Sequence, residues 1–304
     1  MGCVAMTDGV YTARIVGEPL GGGDALGQED AEEPASDLVG HLDRVFAARA
    51  IEEVWQLHCA RMAAYGFDRL LYACTRFPGS RGFGDPEDAL VIANMPAAYM
   101  KYYIDDGGFR HCPVVDWLSR NEGLLNWGDV YEWYLRGELR PAHRHAVERQ
   151  AEFGMLHGFS IGFPARAPRT MAAIAICARD GLDQDDADAI WQAHERELMV
   201  INAAAHMCMS SLPQIGCGRQ LTARQREVLQ WVGEGKTVQD TATILGVTSA
   251  TVEKHLRLAR EALDVQTTPQ AVLKAAFRNQ LYVLAPAEPV QRRRARRWQH
   301  VRPG

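Results

Sequence analysis

GVTSATVEKHLRL, residues 246 to 258, is the stretch on which the reading of this chain turns. It opens on Gly246, a residue able to take the left-handed backbone that lets a chain turn sharply. Thr248 or Ser249 then offers a hydroxyl that can accept from the first free backbone N–H groups of a helix. Beyond them Val252, Leu256, Ala259 and Leu263 recur at helical spacing and predict one buried stripe. Ala250, Glu253, Lys254 and Arg257 are left for the opposite side.

The flanking sequence extends the pattern in both directions. Thr222 and Gln225 form a capping box ahead of Val228, Leu229 and Val232, which predicts a first helix ended by Gly233 and Gly235. Thr237 caps a second helix carrying Ala242 and Leu245, and Thr268-Pro269 opens a fourth that runs through Val272, Ala275 and Ala276 to about Leu281. Two short helices joined by a glycine turn, the second polar on one side, present a helix N-terminus to a DNA major groove. A small helical bundle with a solvated charged face fits the same periodicity.

Charge separates this end from the rest. From residue 218 onward there are 15 Lys and Arg against 7 Asp and Glu, a net of +8, whereas the preceding residues carry 18 against 31, a net of −13. An acidic body with a basic end is expected where only one module meets a polyanion. The break falls in SSLPQIGCGRQ, residues 210 to 220, where Pro213, Gly216 and Gly218 interrupt a long helical pattern. At 304 residues and 47% hydrophobic the chain has enough apolar sequence for two cores. No apolar run reaches membrane-spanning length and no secretory signal opens the chain, so it is read as soluble and cytoplasmic. Seven scattered cysteines without a C-x-x-C pair predict neither a disulfide framework nor a zinc site. Residues 1 to 37 lack periodicity and read as a disordered leader or a misplaced start codon.

Residues 221 to 263 resemble the helix-turn-helix of LuxR-type regulators, which NarL-like response regulators share. Leu221, Thr222, Arg224, Glu227, Leu229, Trp231, Gly235, Lys236, Thr237, Ala242, Thr251, Val252 and His255 carry the match. Gln225 replaces a usual glutamate but serves a capping box equally well. The resemblance implies base reading by Glu253, Lys254 and Arg257 and places Lys236, Thr237, Thr248, Ser249 and Thr251 at the DNA interface. A glutamate can accept from cytosine N4 and an arginine can grip guanine, while Lys236 and Lys254 suit phosphate. The run QRRRARRW, residues 291 to 298, reads as a solvated tail or as added phosphate contacts.

Before residue 210 the order is helix, strands, helices, strands, helix. Residues 69–77, 89–95, 158–166 and 170–178 predict strands, and 41–65 and 185–212 predict helices. The last is long enough to support a partner helix as well as its own sheet. No G-x-S-x-G, Walker loop or H-E-x-x-H occurs, so no catalytic constellation is expected. Aromatics crowd the interval from Tyr99 to Tyr134, which suits core, an apolar pocket, or both.

That interval resembles the acyl-homoserine-lactone-binding domain of the same family. Pro113 sets the register, placing the pocket tyrosine on Tyr103, a tryptophan on Trp127 and a glycine on Gly158; Trp117 belongs to the same expected site. Two positions depart from the family. Tyr99 stands where a tryptophan meets the lactone carbonyl, and Cys112 stands where an aspartate accepts from the ligand amide. A phenol can still donate, but a thiol is a poor acceptor, so the pocket is expected to have drifted from ordinary acyl-homoserine lactones. Asp105, Asp106 and Asp116 are the nearby carboxylates that could take the aspartate's place.

The expected architecture is α+β: a leader (1–37), an α/β/α sandwich binding a small-molecule signal (38–209), a linker (210–219), a four-helix helix-turn-helix domain (220–285) and a basic tail (286–304). The resemblance implies a homodimer on a roughly palindromic duplex, with RNA polymerase as a further partner, no cofactor and no metal. Two other functions fit the sequence: a ligand-independent factor whose first domain is a dimerisation or protein-interaction module, and an enzyme with Cys112 as nucleophile near His111 or His157.

Overall fold

The computed structural model describes residues 37–282 except 77, 79–81, 85–87, 166–169 and 215–220. The expected leader before Asp37, the second half of the linker (215–219), the basic tail, Cys3 and Cys217 lie outside the described residues. The first domain is organised by alternation along five antiparallel strands: β1 (Phe67–Thr75), β2 (Ala89–Ala93), β3 (Gly123–Asn126), β4 (Gly158–Phe163) and β5 (Met171–Ala178), in the order β2-β1-β5-β4-β3. Successive side chains of a strand face opposite ways, so each strand supplies two cores. Leu70, Tyr72, Ile92, Ile174 and Ile176 point to one side and pack on α1 (Leu38–Ala47), α2 (Ile51–Ala64) and α7 (Gln184–Ser211). Leu71, Ala73, Ala89, Val91 and Cys177 belong to the other core, packed with the helical segments between β2 and β4.

Those segments are α3 (Ala97–Met100), which continues as a π-helical turn through Asp105, a 3-10 turn (Gly108–His111), α4 (Pro113–Leu118), α5 (Trp127–Leu135) and α6 (Pro141–Glu152). Sheet and helices thus form the expected sandwich. Three details differ from the sequence reading. The helix expected over 41–65 is two helices, because Ala48 and Ala50 take extended backbone and Arg49 N–H is drawn to Glu53 at 2.7 Å. The short strand β3 was not expected. The first two residues assigned to the linker, Ser210 and Ser211, finish α7.

The second domain is α8 (Ala223–Gly233), α9 (Val238–Leu245), α10 (Ser249–Leu263) and α11 (Thr268–Phe277). Capping boxes open α8, α9 and α11 through Thr222, Thr237 and Thr267. The fourth helix stops short of Leu281, since Asn279 takes a left-handed backbone, φ 52°, and donates its side-chain amide to Ser210 and Leu212 carbonyls at the end of α7. Val228, Leu229, Val252, Leu256, Ala259, Leu263, Ala271 and Ala275 make its core.

Candidate nucleic-acid interface and ligand cavity

Helix α10 is divided as its spacing predicts. Val252, Leu256, Ala259 and Leu263 are buried, whereas Ala250, Glu253, Lys254 and Arg257 are exposed. Gly246 turns the chain at φ 65°. Thr248, not Ser249, is the cap: its hydroxyl accepts from Thr251 N–H at 3.2 Å and meets the Thr251 hydroxyl at 2.9 Å. Ser249 is the exposed first residue of the helix. Arg257 is paired with Glu261 one turn on. Lys236 and Thr237 stand exposed at the entry to α9, where Thr237 caps the helix and holds the Asp240 carboxyl below the usual carboxylate range. The candidate interface combines the capped N-terminus of α10 with three exposed cations, Lys236, Lys254 and Arg257.

The other site is a small apolar cavity on the α3–α6 side of the sheet. Small side chains make the room: Ala73 lies opposite Ala173 and Val91, and Ala173 opposite Gly162. In the next row Leu71 faces Ala175, and Ala175 faces Ser160. Tyr103, Ile104, Phe109, Val114, Val115 and Leu118 form the opposite wall, and Phe83 and Gly84 close one end. No charged residue lines it among the described residues.

Of the seven residues expected at the ligand, Tyr103 alone lines this cavity. Tyr99 stacks behind it at 5.3 Å, held by an amide hydrogen of Gln150, which donates to the phenol oxygen at 3.3 Å and to Cys112 Sγ at 3.6 Å. Burial pushes the Cys112 thiol and the Tyr99 and Tyr103 phenols up, so all three are neutral at physiological pH. A buried, protonated Cys112 is a poor nucleophile. Trp127, at the start of α5, reaches the site indirectly: its indole N–H donates to Ser160 Oγ at 2.9 Å, leaving the serine proton free to point elsewhere. Pro113 is the first residue of α4, and Trp117 is half-buried in the same core. Gly158 acts through backbone, since its φ is +143° and a Cβ there would lie 2.1 Å from the Ile176 carbonyl oxygen. Asp105 and Asp106 are exposed, and Asp116 is paired with Arg120 and Arg140, so none of the three supplies a carboxylate to the cavity.

Sequence reasoning missed Ser160, Gln150 and the alanine rows. Alternation in TMAAIAICA carried a signal, for it puts Ala173 and Ala175 on one face and Ile174 and Ile176 on the other. Among the described residues no cluster of His, Cys, Asp or Glu could hold a metal, and no helix is long and apolar enough to cross a membrane.

Two family models match. The autoinducer binding domain covers residues 50–209, and the luxR family of bacterial regulatory proteins covers 219–275. The chain is 31% identical over 242 residues to the HTH-type quorum sensing-dependent transcriptional regulator RpaR of Rhodopseudomonas palustris, across 79% of this chain and 92% of that protein. It is 26% identical over 189 residues to the transcriptional activator protein LuxR of Aliivibrio fischeri, across 62% and 73%. The solved structure of SdiA in complex with octanoyl-rac-glycerol aligns at 18% identity with a TM-score of 0.45, covering 79% of this chain and 93% of that one.

Proposed function

This chain belongs to the LuxR family of bacterial regulatory proteins, and on that premise we propose that it is a transcriptional activator working as a homodimer on a roughly palindromic site. It is a quorum-sensing type of regulator rather than an enzyme, with one domain for a small-molecule signal and one for DNA. The observation that carries the proposal is the division of α10, an apolar stripe seated in the core and Glu253, Lys254 and Arg257 turned outward behind a hydroxyl cap.

A second copy has a surface to meet. Val39 and Phe46 on α1 and Val200 and Met207 on α7 are exposed, each pair seven residues apart and so on one side of its helix. Covering that strip would join two copies, and a site with half-sites one helical turn apart requires their α10 helices to lie about 34–36 Å apart. Glu253 and Arg257 would read base edges and Lys236 and Lys254 phosphates, with the dimer placed to contact RNA polymerase.

The ligand is an acyl-homoserine lactone or a related small apolar signal whose polar end meets neutral partners, the Ser160 hydroxyl and the Tyr103 phenol. Because no carboxylate lines the cavity among the described residues, an amide N–H on the ligand gains no charged acceptor from them. Two titrations test the proposal. Binding of purified full-length chain to promoter duplex should yield two protected half-sites, and absence of any protected half-site refutes the regulator reading. Binding of an N-acyl-homoserine lactone should weaken less than about fivefold when its amide is replaced by an ester. A loss of a hundredfold would show a charged or strong acceptor that the described lining does not contain.

A further inference from the structure

A second cleft lies behind the apolar cavity. The 3-10 turn supplies Arg110 and His111 to it, α4 supplies Val115 and Asp116, and the start of α6 supplies residues 140–143. Val115 lines both spaces, so α4 is the partition between them. Their linings differ in kind. No charged residue lines the apolar cavity among the described residues, whereas arginine, histidine and aspartate gather in the cleft. Its volume, about 490 Å³, is that of a small-molecule site.

Positive charge dominates the cleft although the first domain is acidic. Asp116 is the one carboxylate in its described lining, and it takes Arg120 at 2.8 Å and Arg140 at 3.4 Å. Arg110 rests over the Phe109 ring, 5.1 Å from its centre, and forms no ion pair among the described residues. Three guanidinium groups thus meet one carboxylate. His143 places the Arg140 side chain, its Nε2 accepting from the guanidinium. Burial above all, then Arg140, with His111 and Arg120 adding to them, lowers the pKa of His143 against Asp116, so the ring is neutral and able to accept. Helix α6 adds main-chain donors. Arg140 is its N-cap, yet no side chain caps it, and Pro141 at the first position has no N–H. The amides of Ala142 and His143 are left for another acceptor at the positive end of a 12-residue helix.

We propose that this cleft is a second ligand site and that it takes a small phosphate monoester. A phosphoryl group offers three oxygens, and the cleft offers three sources of donors: the Arg110 fork, the Arg140 fork and the first turn of α6. Arg140 is free to turn to it, since its contact with Asp116 is the longer of that carboxylate's two. The body of the ligand lies on Val115 and Pro141, the apolar part of the wall. The two sides of α4 therefore select opposite chemistry, a neutral apolar molecule on one and an anion on the other. The proposal stands apart from the identity of the molecule in the apolar cavity.

Phenyl phosphate is the probe, titrated calorimetrically into the full chain in buffer without phosphate or sulfate. Wild type should bind it with a Kd of about 1 mM or tighter. Inorganic phosphate, with no body to lie on Val115 and Pro141, should bind at least about threefold more weakly, and benzyl alcohol not at all. Arg110→Met and Arg140→Met should each weaken phenyl phosphate at least about tenfold, the loss of a charge-assisted bond. Ala142→Asp separates binding from folding. An acid suits the first turn of a helix, so the melting temperature should hold, while the new carboxylate repels the anion and binding should vanish. Wild type that fails to bind phenyl phosphate overturns the proposal, as does a folded Ala142→Asp that binds it undiminished. Loss of binding in Lys254→Met with Arg110→Met unaffected would assign the phosphate to the DNA interface, and inorganic phosphate or benzyl alcohol binding as tightly as phenyl phosphate would remove the monoester; either result overturns it too.

Discussion

His58 sits in the core between α1, α2 and α7 with both ring nitrogens lacking a hydrogen-bond partner. Burial, reinforced by the neighbouring His41, lowers its pKa from 6.5 to about 3, while Asn202 nearby opposes the shift. His41 is lowered too, by burial and by Arg61 and Arg44, against Asp37 and Glu197. The unfolded chain therefore binds a proton near pH 6.5 that the native state refuses. Stability is complete above that pH and falls as pH drops toward 3. From about pH 7.5 to pH 5.5 the loss from His58 alone should be about 1–2 kcal/mol. For a domain of this size that corresponds to roughly 3–6 °C in melting temperature. The perturbation is His58→Leu, of similar volume and without the orphan nitrogens. Urea melts of both proteins, followed by tryptophan fluorescence at the two pH values, isolate the contribution, because other titrating groups are common to both. Equal pH dependence in the two proteins would refute the assignment of a neutral, stranded His58.

Arg257→Ala should cost about 1–3 kcal/mol of preference for the correct site over a scrambled duplex while leaving the melting curve within error, read by competition binding. Ala173→Leu fills the alanine row facing the cavity, so ligand binding should fall at least about tenfold with no loss of thermal stability; calorimetric titration checks this. Ser160→Ala removes the acceptor of the buried Trp127 indole and should destabilise the first domain by about 1–3 kcal/mol, measured by denaturant unfolding. Gly158→Ala has no room beside the Ile176 carbonyl and a positive φ to satisfy, so soluble folded protein should be lost; a native circular dichroism spectrum would contradict that.

The second domain was legible because its signals are local. Thr222 with Gln225, Gly246 and Thr248 each act within one turn of backbone, and the stripe from Val252 to Leu263 needs only helical spacing. What escaped reading depends on partners distant in sequence. The break between α1 and α2 carries neither Gly nor Pro and is set by Glu53 drawing Arg49 N–H. Strand β3 exists because β4 offers it an edge, Leu125 opposite Ser160. Aromatic density pointed to the correct half of the first domain, yet Tyr99 and Cys112 stand behind Tyr103 and bond to Gln150 from another helix. Alternation assigns residues to faces, but only the register of four strands shows that alanines meet and leave space.

Charge explains why the two modules can both cooperate and keep apart. A body of −13 is repelled by a phosphate backbone, so approach to DNA is led by the end that carries +8. The same asymmetry seats α11 against the acidic body, with Lys274 and Arg278 on Asp88. Lys274 and Arg278 are only 15% and 17% exposed, whereas Lys254 and Arg257 stay exposed, so this contact does not consume the charge available to phosphate. Added salt consequently acts on two contacts of unequal exposure. Exposed phosphate contacts weaken steeply with ionic strength, and a dimer doubles the slope. The partly buried Asp88 pair is screened less. Between low and moderate salt, DNA should thus be released from a chain whose two domains remain seated, an order of events that would reverse if Asp88 were an ordinary surface pair.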